Sequence, residues 1–149
     1  MYKNLQQLIE AIDNNLPNVG KLEDIISIVE KYDADDWNVY VKFDQNKYNR
    51  TMIYQNNKFE ILVICWDTNQ NSGIHDHPLR GCILKCLHGN LIEELYKREN
   101  LEKYGENILK PGSVSYREGI EGLHNIVNQG EQSVTLHIYS PPKYIPNRY

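Results

Sequence analysis

From Tyr40 onward the chain breaks into short apolar runs separated by turn residues, and this texture limits the possible fold more than any other feature. Phe59 to Trp66 is a nearly continuous apolar run, which reads as a strand. Ile83 to Leu87 and Leu91 to Tyr96 flank His88-Gly89-Asn90, a hairpin turn. Pro111-Gly112 marks another turn, and a short strand from Ser113 to Tyr116 follows it. Leu123–Val127 and Val134–Tyr139 read as two further strands. Many short strands with frequent turns build a sandwich or a barrel.

The first third has a different period. Leu5, Leu8, Ile9, Ile12 and Leu16 recur at the spacing of one helix face, and Pro17 and Gly20 end that helix. Leu22, Ile25, Ile26, Val29 and Tyr32 repeat the pattern in a second helix, and Asp33 to Asp36 form an acidic loop. Neither helix carries a chemical constellation. With 149 residues the expectation is one domain, 1–149, helical over 1–36 and β over 40–149. The net charge is -4 and the basic residues are scattered, so nothing favours nucleic acid or an anionic membrane as a partner. The longest apolar run, Ile61 to Trp66, is too short to span a bilayer, and the N-terminus lacks the pattern of a signal peptide. Cys65, Cys82 and Cys86 are odd in number and form no framework, which points to a reducing compartment and a cytoplasmic location.

His75-Asp76-His77 is the first chemical signal. On a strand, residues i and i+2 share a face, so both imidazoles can reach one ion, while Asp76 points away as a solvated or supporting residue. Alone, the pair also fits two surface histidines in a polar loop. Its surroundings argue otherwise: four residues separate His77 from Cys82, and six more lead to Gly89. Further on stand Pro111-Gly112, then His124, three residues, and Asn128. These spacings resemble the two motifs of the cupins, double-stranded β-barrels that hold a metal in the lumen. The resemblance implies a mainly β fold, a cupin jelly roll, with the two helices packed outside, and His75, His77 and His124 as metal ligands. One departure is informative: Cys82 stands where the cupin pattern has Glu. Three neutral imidazoles without a carboxylate leave the ion its full charge, which favours an anionic bidentate substrate. Zinc also accepts three histidines, so spacing alone leaves the metal open.

A wider set of segments narrows the family. They are Tyr48-Asn49-Arg50, Cys65-Trp66, Ile74-His75-Asp76-His77, Cys82-Ile83-Leu84-Lys85, His88-Gly89-Asn90-Leu91, Gly122-Leu123-His124 and Leu136 to Pro142. Together they resemble the cysteine dioxygenases of mammalian type, over Tyr48 to Pro142. The resemblance implies Fe(II) in the three-histidine site and no organic cofactor. The reaction it implies is oxidation of L-cysteine by O2 to cysteine sulfinic acid. Arg50 would hold the cysteine carboxylate, with Tyr48 assisting; a guanidinium matches a carboxylate as a two-pronged pair. Thr135, His137 and Tyr139 alternate on one strand face and would form a hydrogen-bonded series that presents the Tyr139 phenol to the reaction. Cys82 and Tyr139 match the pair that forms a thioether crosslink. Cys65 and Cys86 match no catalytic position and read as core, His88 as structural. Ser140-Pro141 matches a cis peptide bond beside the pocket. The family also implies a monomer.

Other matches point to neighbouring activities. Pro146 stands where mammalian-type chains have a cysteine at the site's mouth, and His77-Pro78 is shared with dioxygenases of N-terminal cysteines. Oxidation of another small thiol such as 3-mercaptopropionate is therefore an alternative, although relatives with that preference lack an Arg at position 50. A non-catalytic cupin that senses a metal or a small acid is the alternative of a different class.

Overall fold

The structure is a computed structural model and describes all 149 residues. Helix α1, Leu5–Asn15, begins where the Asn4 side chain accepts from the Gln7 amide at 2.8 Å. Asp36 adds its carboxylate to the same helix start, accepting from the Leu5 amide at 2.7 Å. The second apolar-periodic segment is not one helix. It opens as a 3-10 turn, Leu22–Ile25, and continues as the α-helix α2, Ile26–Glu30. An i, i+3 pair such as Leu22 and Ile25 fits either form over so short a stretch, so spacing alone did not separate them. A further 3-10 turn covers Asp36–Tyr40.

Eight antiparallel strands follow: β1 Asn49–Gln55, β2 Glu60–Trp66, β3 Cys82–His88, β4 Leu91–Tyr96, β5 Lys103–Leu109, β6 Val114–Arg117, β7 Leu123–Val127 and β8 Ser133–Tyr139. They form a five-stranded sheet in the order β1-β2-β8-β3-β6 and a three-stranded sheet in the order β5-β4-β7. This is the mainly β cupin architecture that the motifs imply. The edge strands β1 and β5 are the two the apolar pattern did not isolate. β5, for instance, is exposed nearly throughout, so no face of it is apolar.

The two faces of the large sheet have separate tasks. Ile61, Val63 and Cys65 of β2, Ile83 of β3, and Val134, Leu136 and Ile138 of β8 pack against the apolar stripes of the N-terminal helices. The alternate residues Leu62, Ile64, Trp66, Leu84 and Cys86 form a second cluster with Leu91, Leu109 and Ile126 of the small sheet. Period-two alternation produces this division, and it explains why every residue of β2 is buried. Lys85, also buried, reaches from β3 to the end of α2, where its ammonium donates to the carbonyls of Val29, Glu30 and Tyr32 at 3.1, 3.1 and 2.6 Å. Hydrophobic packing and this cation hold helices to sheet, together with Lys58, whose ammonium donates to the Asp13 and Leu16 carbonyls at 2.7 and 3.0 Å. At the β3–β4 turn, Gly89 has φ +80° and lies so close to Ser133 that a Cβ would collide with it. No helix is long and apolar enough to cross a membrane.

Candidate metal centre and its cavity

His75, His77 and His124 come together although the last two are 47 positions apart. His124 lies on β7. His75 and His77 do not lie on a regular strand, contrary to the expectation; isolated bridges, Asn71 to Val127 and His75 to His124, tie their segment to β7. Their rings converge because each Nδ1 is separately held. His75 Nδ1 lies 2.9 Å from the Gly73 carbonyl oxygen, His77 Nδ1 meets the Gly122 carbonyl, and His124 Nδ1 lies 2.7 Å from Glu93 Oε2. All three partners accept hydrogen bonds, so each neutral ring carries its proton on Nδ1. Each Nε2 then turns a lone pair to the same point. His77 Nε2 is 2.9 Å and His75 Nε2 3.2 Å from His124 Nε2. Three lone pairs so close, in a buried site, require a cation between them. The donor set therefore fits a metal ion, and the Fe(II) that the resemblance implies suits it. Burial, and then the neighbouring His124, lower the His75 pKa to about 3; burial likewise holds His77 far below the usual imidazole range. Imidazoles that resist protonation are ready ligands.

Glu93 is the member of the site that the sequence reading missed. It is fully buried on β4 and accepts from Ser115 Oγ at 2.7 and 2.9 Å, from Asn107 Nδ2 at 3.1 Å, and from Arg117 Nε at 3.3 Å. Burial pushes its carboxyl pKa up, but the His124 and Arg117 bonds outweigh that and leave it well below the usual range. The replacement of the cupin Glu by Cys82 therefore does not leave the site without a carboxylate. The negative charge sits one residue removed from the ion site, behind His124, where it fixes the tautomer and orientation of that ring. The one signal in the sequence was a charged residue sharing the inward face with Leu91.

Of the two roles expected for Asp76, the structure shows the supporting one. Asp76 is buried, not solvated, and its carboxylate gathers the chain's last residues. Tyr144 Oη and the Asn147 amide donate to Oδ1 at 2.8 Å, and Asn147 Nδ2 to Oδ2 at 2.8 Å. Burial would raise its pKa; these bonds prevail and lower it. The segment after Tyr139 is thus a strap drawn across the metal loop. Asn128, the last residue of the second motif, is no ligand: its Nδ2 donates to the carbonyls of Trp66, Asp67 and Glu131.

Beside the histidines opens a cavity of about 470 Å³, its mouth included, lined by Tyr48, Arg50, His75, His137, Tyr139 and Arg148 among others. Arg50 comes from β1 and Tyr48 from just before it; the Tyr48 ring stacks on Trp66 at 4.7 Å. Trp66 begins a hydrogen-bonded series along β8. Its Nε1 lies 2.9 Å from Thr135 Oγ1, which lies 2.7 Å from His137 Nε2, and His137 Nδ1 is 3.1 Å from Tyr139 Oη. The indole N–H can only donate, which frees the Thr135 hydroxyl hydrogen for His137 Nε2. His137 Nδ1 then carries the proton and donates to the phenol oxygen. The phenol keeps its own hydrogen for the cavity. Burial, then Arg50, keep His137 neutral, and burial, then Cys82, raise the Tyr139 pKa well above its usual range. Cys82 lies directly opposite Tyr139 in the β3–β8 register, and burial raises its thiol pKa. Cys65 and Cys86 are buried in the two apolar clusters, His88 is exposed at its turn, and Ser140-Pro141 is cis.

Across residues 2–149 the chain matches the family described as cysteine dioxygenase type I. It is 38% identical to cysteine dioxygenase type 1 of Homo sapiens over 131 residues, covering 81% of this chain and 66% of the human protein. The chain thus spans 66% of the length of that relative. The protein of the same name from Danio rerio is 31% identical over 153 residues, covering 95% of this chain and 73% of the relative. A Klebsiella pneumoniae structure with a double-stranded β-helix domain aligns with a TM-score of 0.65 at 17% identity, over 76% of this chain and 88% of that one, a likeness of fold. With three imidazoles converging beside the Trp66–Tyr139 series and a match that runs the length of the sequence, this chain belongs to the cysteine dioxygenase type I family.

Proposed function

We propose that this chain is an iron-dependent thiol dioxygenase that converts L-cysteine and O2 to cysteine sulfinic acid. The observation that carries the reading is one cavity lined by a ligand histidine, the Tyr139 phenol and the Arg50 guanidinium. Bound Fe(II) supplies open coordination positions for a thiolate and O2 and the electrons that activate O2. The remaining work falls to the protein. Arg50 is ion-paired with no residue, so its donors are available to a substrate carboxylate. Tyr48 flanks it on the same wall. The Tyr139 phenol, fixed by His137 as acceptor, offers its hydrogen to the reacting centre. A thiol so anchored reacts without the entropic cost of finding its orientation. Both oxygen atoms of O2 go to sulfur, the sulfinic rung of thiol oxidation.

The reading includes a thioether between Cys82 and Tyr139, which their cross-strand pairing supports. It places the protein in the cytoplasm, which three free buried cysteines support, as a monomer that uses neither nucleic acid nor membrane. The test is O2 consumption by iron-loaded protein with cysteine, 3-mercaptopropionate and cysteamine, each with its sulfinic product identified. Cysteine should give the highest kcat/KM; no O2 uptake with any small thiol refutes the enzyme. In the same sample, intact mass should show a species lacking one hydrogen from each of Cys82 and Tyr139, absent in Cys82→Ser.

A further inference from the structure

The strap brings a second arginine to the cavity. Arg148 lines it together with Arg50, donating from Nη1 to the Ser72 carbonyl at 2.6 Å and from Nη2 to Tyr48 Oη at 3.2 Å. Its remaining N–H donors have no protein partner, and Arg50 makes no side-chain hydrogen bond at all. Two acidic residues line the same cavity. Asp76 is occupied by its strap donors, and Glu60 accepts from the Lys143 amide at 3.0 Å on the wall beside Tyr139. Neither forms an ion pair with an arginine. Arg148 is also not needed as a tie. The Asp76 bonds, the Tyr149 amide on the Ile74 carbonyl at 3.0 Å and the Asp76 amide on the Asn147 carbonyl at 3.1 Å already hold the strap. Two unpaired guanidiniums in one cavity repel each other unless anions come between them.

We propose that Arg148 is a second anion-binding residue of this site, so that the cavity takes, besides L-cysteine on Arg50 alone, small thiols carrying two carboxylates, one for Arg50 and one for Arg148. The inference rests on the proposed function in that the sulfur of such a thiol lies at the three-histidine centre. Monocarboxylate thiols leave Arg148 unsatisfied and bind more weakly.

Mercaptosuccinate and 3-mercaptopropionate make a matched pair of probes, because the first is the second with one added carboxylate. Their dissociation constants are measured without O2 on iron-loaded protein, for the wild type and for Arg148→Gln. Arg148 is exposed, so the variant folds, which its circular dichroism and iron content verify. The ion's own charge favours the dianion in both proteins, so the decisive quantity is how the affinity ratio changes. The expected result is a preference for mercaptosuccinate that falls by about tenfold or more in Arg148→Gln, the worth of one charge-assisted hydrogen bond, while 3-mercaptopropionate affinity changes little. A ratio unchanged by the substitution overturns the inference, as does equal weakening of both probes, which marks Arg148 as structural only. Turnover of cysteine in the same preparation reports on the proposed function separately, because the affinity ratio needs no reaction.

Discussion

At the scale of single residues, the direction of a hydrogen bond decides what Tyr139 can do. Trp66 is a pure donor, and its indole sets the polarity of the Thr135–His137–Tyr139 series. In Trp66→Phe the ring still stacks on Tyr48, but the series loses the donor that fixes it. Part of the His137 population then takes the other tautomer, and the phenol is less well directed. The expected outcome is a kcat lower by about fivefold, the worth of about one net hydrogen bond. The KM for cysteine should be nearly constant, since no anchoring group is touched. Imidazole nitrogen chemical shifts of His137 read the tautomers; a single unchanged tautomer with reduced kcat would argue that Trp66 acts through packing. The residues of this series were legible in the sequence because alternation on a strand needs only counting. Glu93 and Arg148 were not, because their roles depend on partners 31 and 100 positions away, His124 and Tyr48, which no local pattern connects.

At the scale of elements, the attachment of the helices to the sheet depends on Lys85. Its ammonium takes the carbonyls at the end of α2, where a helix presents partial negative charge. Replacing it with Met fills the volume but leaves those carbonyls without a donor. Lys85→Met should cost about 2 kcal/mol of unfolding free energy, measured by urea denaturation. Burial lowers the Lys85 pKa from its ordinary 10.5, so the unfolded chain holds this proton to higher pH than the folded one. Between the two values the unfolded state binds more protons, and this residue's contribution to stability rises with pH. Lys85→Met should lose that rise, and the gap between the two proteins should widen as pH climbs to 10.5. In the sequence Lys85 is one lysine inside an apolar strand. The strand itself was plain, as were β2 and β8, because both their faces are buried, and β4 and β7 because they keep apolar residues on their buried positions. The strands β1 and β5 have almost no fully buried residue and so lack the pattern. The 3-10 start of the second helical segment escaped for the related reason that burial constrains spacing more than hydrogen-bond type.

At the scale of the whole molecule, an ion held by the three histidines would be a structural tie. Its ligands come from the loop before β3 and from β7, and Glu93 links the second of these to β4 and β6. Binding to the folded state alone stabilises it by about 2.7 kcal/mol at a hundredfold excess over Kd. Iron under reducing, O2-free conditions should therefore raise Tm by about 5–10 °C. His124→Ala should abolish most of that increment. An increment retained in the variant would place the stabilising metal elsewhere. The three ligands were legible from motif spacing even though the strand geometry assumed for His75 and His77 was wrong. What spacing recorded was that the two rings share a direction, and the structure achieves this with two backbone carbonyls instead of a pleat.

The alternation of β8 has an evolutionary consequence. His137 and Tyr139 face the cavity with Thr135 behind them on the same side, while Val134, Leu136 and Ile138 face the helices. Substrate preference and fold maintenance are thus written in the odd and even positions of one strand. Selection can vary one register without erasing the other, so a library confined to the odd positions and their cavity neighbours explores new thiols on a scaffold that continues to fold.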